Sequence, residues 1–309
     1  MKGLDLSEEF YRAFGAGMIK TKFPALKDRI AVGLVGLGSE CFGFDDKFSR
    51  DHDWGPGFCM WLEKGDYSAF GVSLQKAYEA LPDRFMGFQR KKSIWGDGRT
   101  GVLNTDDFYI SFIGLPHAPE VLHRWLTIPE TSLAACTNGR VFNDPLGVFS
   151  TIRQQLLNHY PEDIRLKKIA ARCMTAAQSG QYNYSRSLRR KASYPVYQSL
   201  VKFCEDVFSL VFLLNRRYMP FYKWASKAAG SLPVLGAFIS QAVEKLLQEE
   251  KPQKKEGYIE TICARIIEAL KGQGLSDSQS DFLLDHGPRV HSLIRDDSLK
   301  RLDMWWSGA

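Results

Sequence analysis

The sequence predicts an α+β protein: a mixed sheet with flanking helices over residues 1–147, followed by an all-α helical bundle over 148–309. Three observations lead there. Short apolar runs, "RIAVGLVGLG" (29–38), "GFCMWLE" (57–63) and "GRVFNDPLG" (139–147), have the length of buried strands, and helical spacing fills the gaps between them. After about residue 148 the strand signals stop and helical periodicity takes over. The 309 residues are enough for two units, each with its own core.

Each element has a local reason. Over residues 5–20, Leu6, Phe10, Phe14 and Met18 recur on one helical face, and Ser7 followed by acids suits a helix start. The 29–38 run ends in Gly38-Ser39, a strand end that should open a helix. "SAFGVSLQKAYEALP" (68–82) reads as a helix stopped by Pro82. "GVLN" (101–104) reads as a third strand, and "DDFYISFIG" (106–114) as a helix capped by its aspartates and closed by Gly114. The strand in 139–147 ends in an Asn-Asp-Pro turn. Helices are expected at 148–159, 161–179, 195–217, 219–229, 234–248 and 257–272. The stretch 249–257 reads as a polar connection and 276–306 as short helices.

Composition narrows the function classes. Apolar residues are 44% and charged residues 25%, ordinary for a globular chain. The net charge of +6 suits a small anionic ligand such as a nucleotide; no dense cationic stripe marks a duplex binder, and a duplex partner is not expected. The six cysteines form no Cys-x-x-Cys and no zinc-spaced cluster, which suits reduced thiols in a cytoplasmic protein. The N-terminus has no apolar signal core, and the longest apolar stretch, 207–215, is too short to span a bilayer.

The chemistry concentrates in "GSECFGFDDKFSRDHD" (38–53). Gly38 lets a backbone approach a ligand closely, and the Ser39 hydroxyl can donate to a phosphate oxygen. Asp51 and Asp53, two apart on an extended segment, point to one side and offer hard oxygen ligands for Mg²⁺ (or Mn²⁺), with His52 pointing away. Either motif alone is commonly a solvated turn. A metal beside a phosphate cradle is the apparatus of phosphoryl or nucleotidyl transfer.

This order of strand, Gly-Ser, Asp-x-Asp and strand resembles the DNA polymerase β-like nucleotidyltransferase superfamily. The finer resemblance is to the bacterial DUF4037 family, carried by "GSECFGFDDKFSRDHDWGP", "VFNDPLG" (141–147), "YPEDIRLKKIA" (160–170) and "FLLNRRYMPFYKW" (212–224). The resemblance implies a nucleotidyltransferase-like domain and a helical domain in a kanamycin nucleotidyltransferase-like arrangement. As an enzyme with this Gly-Ser turn and Asp-x-Asp pair, the chain is expected to take ATP or another nucleoside triphosphate as substrate and to transfer a nucleoside monophosphate to an unidentified acceptor hydroxyl or phosphate. Superfamily enzymes often carry a third carboxylate on a later strand; here Asn104 stands in that strand, and Asp106 and Asp107 read as caps. Asp144 and Glu130 are the candidates for a general base, with turn residue and helix start as their ordinary readings. By similarity, Lys223 and Arg217 would contact phosphate from the helical half, while Tyr218 and Trp224 would stack on a ring or pack the core. The intact Gly-Ser and Asp-x-Asp favour an enzyme. The missing third carboxylate favours a catalytically degenerate nucleotide-binding or toxin–antitoxin-like regulatory protein. The loop 91–101 reads as a hairpin near the site, and 285–297 as surface.

Overall fold

Strands β1 (Ala31–Leu34), β2 (Cys59–Leu62), β5 (Gly101–Asn104) and β6 (Arg140–Asn143) form one sheet in the order β5-β2-β1-β6, while β3 (Arg84–Phe85) and β4 (Phe88–Gln89) pair only with each other. The computed structural model describes residues 1–50, 53–90 and 98–309. β2 runs parallel to β5 and antiparallel to β1, and β1 is antiparallel to β6, so the sheet is mixed and the chain is α+β. Among the described residues no strand follows Asn143. The chain divides into two units, residues 1–119 with 132–158, and residues 120–131 with 159–309.

In the first unit β1 and β2 are buried at every position, because both faces of the sheet are covered. Met60 and Leu62 face a core with Phe10 of α1 (Gly3–Phe10), Met18 and Ile19 of α2 (Ala16–Lys22), and Leu74 and Tyr78 of α3 (Lys64–Glu79). On the opposite face Trp61 stacks on Phe149 of α7 (Val148–Leu157) at 4.0 Å between ring centroids and meets Phe108 of α4 (Thr105–Ile113) edge-on at 5.5 Å. Gly33 sits at a bulge against β6, where an added Cβ would lie 2.9 Å from the Val141 Cα.

Several elements differ from expectation. The first helix runs from 3 to 22 and contains a π-helical turn, Tyr11–Gly15, that accompanies the contacts of Tyr11 and Phe14 with Phe58 and Phe85. No helix opens at Gly38-Ser39. Gly43 adopts a left-handed φ of +72° there, and hydrogen bonds from Gly43 N to Glu40 O (3.0 Å) and from Phe44 N to Ser39 O (2.8 Å) turn the chain instead. The cap of α4 is Asn104, whose Oδ1 accepts from Asp107 N at 3.0 Å. Asp106 and Asp107 occupy the first turn, where they favour the helix dipole.

The second unit is helical: α5 (Leu122–Leu126), the start of α6 (Glu130–Thr137), α8 (Glu162–Ala177), α9 (Ser185–Arg189), α10 (Ser193–Leu214), α11 (Tyr222–Ala229), α12 (Gly236–Gln248), α13 (Pro252–Gly272), α14 (His286–Ser292) and α15 (Asp297–Lys300). α8 lies at the centre and buries even Arg165, Lys167 and Lys168. The Lys167 ammonium donates to the backbone oxygens of Asp303 (2.5 Å) and Trp306 (2.8 Å), and Lys168 donates to that of Ala309 (3.1 Å). Burial pulls both ammonium groups down to about 8. Asp206, fully buried on α10, accepts from Arg172 (3.0 Å) and Lys202 (2.7 Å). α13 starts at Pro252, where a missing N–H costs nothing, so the polar connection is shorter than expected. Nor is 285–297 all surface: His286 is buried, hydrogen-bonded to Ser276 Oγ (2.8 Å) and Ser280 O (2.9 Å), with Gly287 against Met174 of α8.

His159 gives this unit an acid-sensitive point. Its Nε2 donates to Arg217 O at 3.3 Å, and its ring stacks on Tyr218 at 4.8 Å. Burial pulls its pKa from 6.5 to about 3. Below pH 6.5 the unfolded chain takes up a proton that the folded chain refuses. The neutral ring's contribution is therefore complete above pH 6.5 and drains away as pH falls towards about 3. His159→Asn, which tolerates the left-handed φ of +71°, should flatten the acid limb of stability against pH in urea titrations; an unchanged limb would show that other groups set it.

Candidate functional site

The turn after β1 is built by clamps from elsewhere in the first unit. Asn138 grips Gly36 from both sides: its Oδ1 accepts from Gly36 N at 3.0 Å, and its Nδ2 donates to Gly36 O at 2.8 Å. Gly38 has φ +153°, and an added Cβ would overlap both the Arg99 guanidinium and the Glu40 carboxylate. Gly38→Ala should therefore lower stability by roughly 1–3 kcal/mol and shift Arg99, whereas Ser39→Ala, at a half-exposed hydroxyl, should barely change the urea midpoint. Equal effects would mean that the close approach at Gly38 is not under constraint.

Arg99 is the centre of the site. Its Nη2 meets Glu40 Oε1 at 2.9 Å and also donates to Leu37 O, while its Nη1 lies 3.8 Å from Asp53 Oδ2. Burial pushes the Glu40 carboxyl up, and Arg99 opposes that by favouring the charged form. Asp53 has a left-handed φ of +52°, a conformation that Asp tolerates better than most residues. The structure thus brings the Gly38-Ser39 turn and Asp53 to one guanidinium. Asp51 and His52 lie outside the described residues, as do residues 91–97 of the loop ahead of Arg99.

Beside this cluster is a pocket of about 360 Å³. Gly36, Leu37 and Arg99 form one part of its lining; Tyr67, Phe108 and Phe112 give it aromatic surface, and Asn104, Asp107 and Ser111 give it polar edges. Asn104, read from the sequence as standing where a carboxylate would serve, caps α4 and lines the pocket. Among the described residues no group of three His, Cys, Asp or Glu side chains could hold a metal ion.

Much of the motif around the site is structural. Asp45 is buried and accepts from Gly3 N at the start of α1 (2.9 Å) and from Trp54 Nε1 (3.1 Å). Asp46 accepts from Phe48 N (2.8 Å) and Ser49 N (3.1 Å) in a local turn, and Arg50 lies over the Trp54 ring at 4.6 Å. Asp144 spends both oxygens on the start of α7, accepting from Gly147 N (3.1 Å) and Ser150 N (2.7 Å). Glu130 is buried in the second unit and accepts from Ser209 Oγ at 3.0 Å. Asn215, Arg216 and Tyr218 of "NRRYMPFYKW" are also built into that unit. Asn215 ties to Val234 N and O (2.8 and 2.9 Å), Arg216 pairs with Glu162 (2.6 Å), and Tyr218 packs between His159 and Tyr160. Arg217 and Lys223 have exposed side chains, Lys223 in the first turn of α11. All six cysteines are buried free thiols, and among the described residues no helix is long and apolar enough to cross a membrane.

Fold and site define a class: an α+β protein whose central strand β1 ends in a clamped glycine turn, with an arginine–carboxylate cluster and a pocket beside it. The model of a family of unknown function, DUF4037, matches residues 125–225. No curated protein matches the chain. The crystal structure of a nucleotidyltransferase-like protein from Exiguobacterium sibiricum 255-15 is similar at 11% identity over 93% of this chain and 89% of that one, with a TM-score of 0.34.

Proposed function

We propose that the chain is a nucleotidyltransferase that moves a nucleoside monophosphate, AMP from ATP, to an acceptor hydroxyl or phosphate. The observation that carries this reading is Arg99, which gathers Glu40 of the glycine turn and Asp53 ahead of β2 to one point beside a pocket. The triphosphate would lie along Gly38 and Ser39, with the Ser39 hydroxyl donating to a phosphate oxygen. Asp53, with Asp51, would hold Mg²⁺ (or Mn²⁺). Hard carboxylate oxygens suit that ion, which commonly keeps water and phosphate oxygens in its remaining positions. When bound, the metal would neutralise phosphate charge and polarise the reacting phosphorus. Arg99 would exchange a carboxylate for a phosphate oxygen, keeping a cation beside the developing charge.

A second reading, binding without transfer, is favoured by one observation: Arg99 already faces Asp53, a carboxylate that a catalytic metal would use. One experiment separates the two. Thermal stability is measured with each nucleoside triphosphate, with and without Mg²⁺, and α-labelled nucleotide is then followed for pyrophosphate release and label transfer. Mg²⁺-dependent stabilisation with turnover supports the enzyme. Stabilisation without turnover, across a panel of acceptors, supports the sensor. No stabilisation by any triphosphate overturns both.

A further inference from the structure

We propose that the surface formed by residues 182–201 of the helical unit binds single-stranded nucleic acid, phosphates on its arginines and bases on its tyrosines. The sequence provides the first observation: from Ile164 to Cys204 there is no Asp or Glu, while Arg186, Arg189, Arg190 and Lys191 fall within one short stretch. The structure provides the second. All four of these cations are exposed, and the turn that carries Arg190 and Lys191 is fixed by hydrogen bonds from Lys191 N to Leu188 O (3.0 Å) and from Ala192 N to Ser187 O (3.1 Å).

The third observation is aromatic. Tyr194 is 77% exposed and Tyr197 69%, far more than a tyrosine needs if its ring merely packs. They sit three apart on α10, on one helical face that continues to the exposed Val201. Tyr182, also exposed, already carries the Arg186 guanidinium over its ring at 4.7 Å. α9, which bears the arginines, packs against α10, which bears the tyrosines. The patch ends at Glu205, the next acid along the chain, which pairs with Lys202 at 3.7 Å.

Cations alone would suit any polyanion; the rings choose among them. Every base has a flat face, so stacking on tyrosine is strong and tolerant of sequence, and it requires bases that are not already paired. An acidic peptide offers no such faces. A bilayer surface calls for a broad apolar face of Trp, Phe and Leu, whereas this face carries Tyr, Ser193 and Gln198. A duplex would meet the arginines but leave the rings unused. The surface belongs to the second unit, and the proposal does not depend on nucleotidyl transfer in the first.

The test uses the full chain and a fluorescent single-stranded RNA of roughly 12 nucleotides, of mixed sequence, read by anisotropy at about 50 and about 200 mM salt. Binding that weakens steeply with salt is expected, with the corresponding duplex at least tenfold weaker. Tyr194→Ala with Tyr197→Ala should cost tenfold or more and leave the salt slope unchanged. Arg186→Gln with Arg189→Gln and Arg190→Gln should cost affinity and flatten the slope. In the unaltered protein, photo-crosslinks from a thiouridine-bearing strand should map to 182–201. Absence of single-strand binding, equal affinity for duplex, crosslinks elsewhere, or preferential binding to polyglutamate or phosphatidylserine vesicles would each overturn the proposal.

Discussion

Asp51→Asn combined with Asp53→Asn will abolish the Mg²⁺-dependent part of nucleotide stabilisation and leave the protein folded. In the unaltered chain, nucleotide at a hundredfold its dissociation constant should add about 2.7 kcal/mol of apparent stability, and the amide pair should bring this to the metal-free value. An amide oxygen is a far weaker ligand for Mg²⁺ than a carboxylate, so the proposed metal site would lose its protein anchors. The fold should hold because Arg99 keeps its closer partner, Glu40 at 2.9 Å, when the 3.8 Å contact to Asp53 is lost. Thermal shifts with and without Mg²⁺ read the effect directly. A double variant that keeps the full Mg²⁺-dependent shift would take these carboxylates out of the nucleotide site.

In the helical unit, Asp206→Ala should destabilise the protein by about 3 kcal/mol, the low end of the usual cost of orphaning a buried charge pair. Asp206 is fully buried and is the shared acceptor of Arg172 and Lys202. Lys202, partly exposed, can swing into water when the carboxylate goes; Arg172 is held by Ser209 Oγ at 3.2 Å and is left with an uncompensated guanidinium. Ser209 in turn donates to Glu130, so the loss travels along a chain of polar groups from α10 to α6. Asp206→Asn, which keeps one acceptor, should cost less. Urea titration would decide the matter, and a loss below about 1 kcal/mol would mean that the network is mostly redundant.

The elements that could be read from the sequence are those whose signal is local. "AVGL", "CMWL" and "GVLN" are strands because short apolar runs covered on both faces need no alternation, and Gly114 ends α4 where a left-handed residue is required. The β3–β4 hairpin could not be read in this way. Its turn uses positive φ at Met86 and Gly87, and methionine is not a turn residue; the pairing of Phe85 with Phe88 supplies the reason. The helix expected after Gly38-Ser39 failed because Gly43 turns the chain, a choice invisible in a run that also contains Phe42 and Phe44. At the site, the glycine turn was legible and Arg99 was not. Nothing in "GDGRTG" marks that arginine until folding brings it back across some sixty residues to Glu40. The "DD" inside the motif serves as joinery, with Asp45 at the start of α1 and Asp46 in its own turn.

Lys167 and Lys168 take hold of the segment 303–309 by its main-chain oxygens. A grip of that kind recognises a path and is blind to lettering, since every residue carries the same carbonyl. The side chain of Trp306 can therefore drift without loosening it, provided the backbone keeps its course, whereas the Asp303 carboxylate also accepts from Trp305 N at 3.1 Å. The two lysines have no such freedom, because a shorter side chain would not reach these oxygens. Variability at the exposed Trp305 and Trp306 would thus be compatible with an unchanging architecture, anchored by two cations more than a hundred positions away in the sequence, while Gly308, where an added Cβ would meet Leu126 O at 2.2 Å, has no such freedom.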